Sequence, residues 1–248
     1  MLSPNPYPAV SVVIPTLEEE KEIISSLSQF TPELRRRFNL EVVVSDGGSR
    51  DKTREIAGTY ADVLVCPDDP EVQTIARGRN RGARAAHGDV LMFFNADVRL
   101  ENPEAFIRTM LEVMADDSIS AATCNVLVNP EEETIADKIF HSGFNLYCRF
   151  LNVIGMGMGR GECHVVRRAA FDQVGGYNER IVAGEDYELF LRLRHAGGVA
   201  FIPSLTVYES PRRYRAFGYT RIAFLWFLNG LAVFFFRRSL SKSWIPVR

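Results

Sequence analysis

The 248-residue chain reads as an α/β protein: a Rossmann-like, mostly parallel sheet flanked by helices, with an apolar and basic helical appendage at its C-terminal end. Three observations predict this. Short runs rich in β-branched residues alternate with stretches of helical spacing through the first hundred residues, the pattern of parallel strands joined by crossover helices. The central run, Val90-Leu-Met-Phe-Phe94, is apolar throughout, as befits a strand covered on both faces. Several runs end on polar or acidic residues (Thr16, Asp46, Asn95 and Asp97), which puts oxygen-bearing side chains at the carboxyl edge of the sheet, where open α/β sheets bind ligands.

The bulk numbers are those of a globular chain with ample core. Hydrophobic residues make up 46% and charged residues 24%, and the formal net charge of -2 exerts no overall pull toward nucleic acid. The basic residues are unevenly placed. From Arg212 onward the chain carries Arg212, Arg213, Arg215, Arg221, Arg237, Arg238, Lys242 and Arg248 and no acid. The four cysteines, Cys66, Cys124, Cys148 and Cys163, are scattered and read as buried thiols in a reducing compartment. The lead Met1 to Pro8 lacks the basic start and apolar core of a signal peptide, so a cytoplasmic body is expected.

Val10-Ser-Val-Val-Ile14 is the first strand, ended by Pro15. Ile23, Ile24, Leu27 and Phe30 then recur at helical spacing. Thr16 and Glu19 stand three apart ahead of that helix, as a capping box does, and also occupy a loop where a ligand would touch them. The second strand, Leu40 to Ser45, runs into Asp46-Gly47-Gly48-Ser49, a turn able to bring backbone close to a ligand. Asp62 to Cys66 is a short strand. A helix follows with Ala76, Asn80, Ala83 and Ala86 on one small-residue face. Its arginines, Arg77, Arg79, Arg81 and Arg84, are either a solvated basic face or a diphosphate platform. Asn95 and Asp97, two apart after the central strand, point the same way and suit a divalent cation that carries phosphates. No G-x-G-x-x-G follows the first strand and no G-x-x-x-x-G-K-[ST] occurs, so dinucleotide dehydrogenases and P-loop NTPases are disfavoured.

Taken together, Val-Val-Ile-Pro-Thr-Leu-Glu-Glu-Glu, Val-Val-Ser-Asp-Gly-Gly-Ser-Arg-Asp-Lys-Thr, Gly-Arg-Asn-Arg-Gly-Ala-Arg-Ala-Ala-His-Gly-Asp and Phe-Asn-Ala-Asp resemble the nucleotide-sugar half of the family-2 glycosyltransferases. The resemblance implies the GT-A fold, with a glycosyltransferase domain over 1–210, its nucleotide-sugar half about 9–100 and its acceptor half about 101–210. It implies that Pro15, Thr16 and Glu19 line a nucleoside pocket and that Asp46, with Gly47, holds the base. Arg77, Asn80, Asn95, Arg212 and Arg213 then join the donor contacts. Asp97 becomes the ligand of Mg2+ or Mn2+ in an Asp-x-Asp motif whose first position is Asn95 here.

In the second half, Glu101 to Asp117 is an amphipathic helix and Ile119 to Val128 a strand. Ile135 to Ile154 is helical with an aromatic stripe, Phe140, Phe144, Tyr147 and Phe150, read first as a core face and second as acceptor lining. Gly155 to Gly161 reads as a mobile active-site loop, Glu162 to Val166 as a strand and Ala200 to Tyr208 as an edge strand. Ala183-Gly-Glu-Asp-Tyr187 opens a helix, where carboxylates suit the dipole. By the resemblance, Asp186 is the general base of an inverting transfer and Glu185 its neighbour at the acceptor.

Ile222 to Phe236 is apolar almost all round but short of the roughly 20 residues of a spanning helix. With Arg237 and Arg238 behind it, an in-plane membrane helix within a C-terminal segment 211–248 is expected, and a core or dimer helix is the alternative. The expected partners are a UDP- or GDP-sugar, a lipid or glycan acceptor and the inner face of the cell membrane, with a homodimer open and no nucleic acid. Two alternatives stand beside this reading: a sugar-phosphate nucleotidylyltransferase, which wants a Gly- and Arg-containing loop after the first strand, and a non-catalytic membrane scaffold of the same fold.

Overall fold

The computed structural model describes residues 9–67, 73–241 and 247. The lead 1–8 and the basic residues Lys242 and Arg248 lie outside the described residues.

The chain runs β1 (Val10–Thr16), α1 (Ile23–Ser28), α2 (Pro32–Phe38), β2 (Leu40–Asp46), α3 (Thr53–Tyr60), β3 (Val63–Val65), α4 (Ile75–Ala85) and β4 (Val90–Phe94). It continues with β5 (Arg99–Leu100), α5 (Pro103–Met114), β6 (Ile119–Val128), α6 (Ile135–Val153), β7 (Cys163–Arg167), α7 (Arg168–Gln173), α8 (Glu185–Ala196), β8 (Gly198–Glu209), α9 (Arg212–Phe217) and α10 (Tyr219–Phe236). One sheet holds every strand in the order β3-β2-β1-β4-β7-β6-β8-β5. The first four are parallel, β7 is antiparallel to both its neighbours, and β6 and β8 are parallel.

Successive side chains of a strand face opposite sides, and the two cores follow from that. Val12, Ile14, Val42, Val44, Met92 and Phe94 face α1, α2, α3 and α5, where Leu27, Phe38, Phe106 and Met110 close over them. Val13, Val43, Leu91 and Phe93 face α4, α7 and α8, where Ala83, Phe171, Leu189 and Phe190 do the same. The small residues of α4 let it lie close on the sheet: a Cβ on Gly82 would come within 2.4 Å of Val13 Cγ1.

Several expectations are corrected. Thr16 closes β1 and caps no helix; its hydroxyl donates to Asp46 Oδ2, and α1 begins only at Ile23 without a side-chain cap. The helix α2 was not foreseen, although Thr31 caps it and Pro32 opens it. The strand β8 is not an edge, because the two-residue β5 pairs along its far side. The glycine-rich run is clamped rather than loose: Gly157 to Arg160 are buried, and Cβ atoms at 157 and 159 would meet Phe190 at 2.7 and 2.4 Å.

The largest correction concerns α6. Its buried residues are Asp137, His141, Asn145 and Cys148, while Ile135 (78% exposed), Ile139, Leu146, Phe150 and Val153 (77%) face outward. The expected stripe is no core face: Phe140 and Phe144 are half-buried against Tyr214, Tyr219 and Trp226, Tyr147 and Phe150 are exposed, and the helix turns polar groups inward. Asn145 brackets Val126 through its N–H and carbonyl, and Asp137 pairs with Arg215 and Tyr219. The helix α10 behaves alike. It buries only Ile222, Asn229, Ala232 and Val233, and Phe224, Phe227, Phe235 and Phe236 stand outside. The two helices meet where Phe140 and Phe144 pack on Trp226.

At Gly88 two chain segments cross closely: an added Cβ would lie 2.5 Å from Ser11 N and 2.6 Å from Val10 C, both backbone atoms that cannot turn aside. Gly88→Ala is therefore expected to lower stability by about 1–3 kcal/mol, read as a lower midpoint in chemical denaturation.

Candidate active site

Strand registers bring the site together. Thr16 stands opposite Asp46, so β1 and β2 end level. Phe94 stands opposite Cys163 in the antiparallel pair, which sets Asn95 beside Glu162. Val128 stands opposite Glu209, at the same edge. The loop after β1 is stitched to the loop after β2: Ser49 Oγ, Thr53 Oγ1 and Asp51 Oδ2 accept from the backbone N–H groups of Glu18, Glu19 and Glu20.

Two cavities open along this edge. The larger, about 290 Å³, is lined by Pro15, Thr16, Glu19, Gly47, Gly78, Asn95, Asp97, Glu209, Arg212 and Arg213. Arg212 reaches in from α9 and its Nη2 pairs with Glu19 Oε2 at 2.8 Å and Asp97 Oδ2 at 3.2 Å. Burial raises the pKa of Asp97, and the Arg212 charge opposes that rise. The smaller cavity, about 80 Å³, is lined by Arg79, Phe144, Arg160, Gly161, Glu185, Asp186, Tyr187, Trp226 and Asn229. Asn95, Glu162, Ile75 and Trp226 line both, so the cavities adjoin there, with Asp97 in the larger and Asp186 in the smaller.

Glu185 and Asp186 open α8 after Gly184, which takes φ +88°. Glu185 Oε1 accepts from Arg79 Nη1 at 2.9 Å. Burial raises the Glu185 carboxyl, and the Arg79 guanidinium opposes that rise. Asp186, desolvated and beside the Glu185 carboxylate, is pushed up to about 8. A carboxyl so raised exchanges a proton near neutral pH, as a general base must. On the other side of Glu162, buried Arg160 pairs with Glu162 at 3.3 Å and Glu209 at 2.7 Å.

Not every expected residue reaches a cavity. Asp46 is fully buried and faces its own turn. Its Oδ1 accepts from Gly48 and Ser49 N–H at 2.9 Å, and its Oδ2 accepts from the Ser49 hydroxyl at 2.5 Å and the Thr16 hydroxyl at 3.2 Å. With those bonds made it holds the loop, and Gly47 is the residue that lines the cavity. Asn80 is committed to Tyr177 and Glu179, and Arg77 pairs with Glu179 at 3.7 Å; neither lines these two cavities. Of the other arginines of α4, Arg79 turns inward, Arg81 donates to Gln73 and the Asp46 carbonyl, and Arg84 stands 3.9 Å from Glu179. Glu162, Glu209 and Arg160 were missed. Glu209 had the signal already used for Asp97, a carboxylate at a strand end. Glu162 lies at the start of its strand and reaches this edge only because β7 runs antiparallel.

A divalent cation that carries phosphates needs one or two protein carboxylates and keeps several waters. Asp97 fits that demand: it faces the larger cavity and already holds one cation, the Arg212 guanidinium. Among the described residues no group of three or more His, Cys, Asp or Glu is arranged as a closed metal cage.

The sequence model described as Glycosyl transferase family 2 matches residues 11–175. The chain belongs to that family. Succinoglycan biosynthesis protein ExoA of Rhizobium meliloti (strain 1021) is 28% identical over 200 residues, covering 75% of this chain and 58% of the relative. Dolichyl-phosphate beta-glucosyltransferase of Mus musculus is 26% identical over 157 residues, 58% of this chain and 48% of the relative. The chain thus spans about half the length of these relatives. Among solved structures, the mannosyltransferase PcManGT from Pyrobaculum calidifontis, in complex with GDP-Man and Mn2+, superposes with a TM-score of 0.70 at 21% identity, over 91% of this chain and 62% of that one. TarS 1-349 of S. aureus, in complex with UDP-GlcNAc, superposes with a TM-score of 0.59 at 16% identity, over 82% and 58%. The fold is the GT-A fold.

Because Asp46 holds its turn through charge-assisted bonds, Asp46→Ala should cost about 2–3 kcal/mol of stability as well as loosening Gly47. The check is a denaturation midpoint measured without any nucleotide.

Proposed function

We propose that this chain is an inverting glycosyltransferase that moves a sugar from a nucleoside diphosphate sugar to a hydroxyl or phosphate of a lipid-linked acceptor, with Mg2+ or Mn2+ held at Asp97. The observation that carries the reading is the junction of the two cavities, with Asp97 on the larger side and Asp186 on the smaller. The larger has the size and the mix of backbone, carboxylate and guanidinium groups for a nucleoside diphosphate. GDP-Man with Mn2+ and UDP-GlcNAc in the structural neighbours support that choice of donor, and the dolichyl-phosphate in the mouse relative's name supports a lipid acceptor.

In this reading Asp186 takes the proton of the acceptor oxygen. That oxygen bonds to the anomeric carbon from the side opposite the diphosphate, and the carbon–oxygen bond to the diphosphate breaks with its electron pair on the leaving group. A single displacement inverts the anomeric centre. Arg212 and Arg213 line the cavity where the leaving charge grows, and a cation at Asp97 would neutralise part of it.

The membrane reading rests on two helices. The outward faces of α6 and α10 adjoin at Trp226, which also lines both cavities. The helix α10 is apolar enough to enter a bilayer and has little of its length buried in the protein. Exposed Arg221, Arg237 and Arg238 flank it, and cations of this kind favour an anionic cytoplasmic leaflet. The body then sits peripheral to the inner face, and a lipid acceptor approaches between α6 and α10.

A thermal-shift screen of UDP and GDP with Mn2+ or Mg2+ tests the donor. One nucleotide is expected to stabilise the protein by about 2.7 kcal/mol at a hundredfold excess over Kd, and Asp97→Ala should lose the metal-dependent share. If no nucleotide shifts the protein with either metal, the reading fails. For the membrane, sedimentation with anionic phospholipid vesicles should bind the wild type and release a Phe227→Glu, Phe235→Glu double variant by about tenfold or more. A double variant that binds as well as wild type, or a wild type whose apolar faces are instead closed in a dimer, counts against it.

A further inference from the structure

Among the described residues, Arg79 is the largest side chain with no exposed surface. A guanidinium in that position needs acceptors for its donors; Nε has none, and the acceptors of the two Nη groups are distributed in a telling way. Nη1 donates to Glu185 Oε1 at 2.9 Å, while Nη2 donates to Asn95 Oδ1 at 3.0 Å and to the Gly161 carbonyl at 2.5 Å. The Tyr177 ring lies 5.2 Å from the guanidinium carbon. One rigid fork therefore joins the loop that carries Asp97, the glycine-rich run, and the helix N-terminus that carries Asp186. Gly161 is bare for a reason: a Cβ there would sit 3.2 Å from Arg79 Nη2 and 3.7 Å from Asp186 Oδ2.

We propose that Arg79 is the positioning residue of the transfer, tying Glu185 to Asn95 so that the neighbouring Asp186 carboxylate is held at a fixed place and charge relative to the sugar-donor loop. The proposal rests on the glycosyltransferase reading for what Asp186 does, and on geometry alone for how it is held. It also gives Asn95 a task. A neutral carboxamide accepts from Nη2 without drawing the guanidinium charge away from Glu185, whereas a carboxylate at that position competes for it. Glu185 is then a spacer between Arg79 and Asp186 rather than a second proton acceptor. The charged and titratable groups around Asp186 are Glu185 and Tyr187 on α8, Arg79 on α4, Glu162 and Arg160 beside β7, Tyr177 and, on α6, Cys148.

The test needs no known acceptor. Difference infrared titration of the full chain follows its carboxyl groups, and the signal missing from Asp186→Asn identifies Asp186. In Arg79→Met and in Asn95→Asp that signal should titrate at higher pH than in the wild type, by about one pH unit or more. The first removes a positive charge and the second adds a competing negative one. Arg79→Lys keeps the charge but not the fork. Its titration should stay near wild type, while release of UDP from UDP-GlcNAc or GDP from GDP-mannose, with Mn2+ present, falls about a hundredfold in kcat with the donor KM unchanged. Wild-type titration of Asp186 in both Arg79→Met and Asn95→Asp overturns the proposal. Should Arg79→Met fail to fold, the isosteric Asn95→Asp decides alone. Asp186→Asn that retains turnover would instead sink the base assignment, and the titration would still report on Arg79.

Discussion

A buried cation obliges its surroundings to supply acceptors, and that obligation organises this protein's active edge. Arg79 and Arg160 both lie out of solvent, and both line the smaller cavity. Arg79 draws Glu185, Asn95 and the Gly161 carbonyl to itself; Arg160 draws Glu162 and Glu209. Removing one partner of such a pair strands a charge in a medium that cannot solvate it, which costs several kcal/mol. The loops of the site therefore hold their places through paired charge where apolar packing is thin. Burial raises both neighbouring carboxyls, and Glu185 pairs with a guanidinium while Asp186 lies beside Glu185.

The sheet supplies the frame. Parallel strands in register end together, so side chains far apart in sequence come to one edge, and the antiparallel β7 brings the start of a strand there as well. The opposite polarity of α6 and α10 belongs to the same design. Each helix turns a few polar or small residues toward the body and its apolar surface away from it. Their meeting point, Trp226, is also a wall of the site. Surface and chemistry are thus neighbours, and an acceptor with an apolar tail has a short path between them.

The alternation of strand and helix, the covered central strand and the positions of Asn95 and Asp97 just past its end were legible in the sequence, because periodicity and turn residues act locally. So was the family. Other features were not. A helix with an apolar stripe has one pattern whether the stripe meets a core, a neighbouring helix or solvent; in α6 Phe140 and Phe144 meet Trp226, Phe144 lines the smaller cavity, and Tyr147 and Phe150 are exposed. Asp46 carries the same type of signal as Asp97, yet its carboxylate is consumed by its own turn and that of Asp97 is not. Both glycine-rich looseness and glycine-rich close packing begin from the same residues, and only Phe190 distinguishes them here.

The chain alone thus determined the layers of the fold and the carboxylates at strand and helix ends. Tertiary structure decided which of them are spent on structure and which remain for chemistry. The physical reason is that a carboxylate's role depends on its partners, and those partners lie far away in the chain: Glu185 and Arg79 are 106 residues apart, and Asn95 and Arg79 are 16. No local pattern encodes that a helix will turn one of its four arginines inward. The sheet's register, the bare glycine at 161 and the Glu185 carboxylate at the start of α8 settle it.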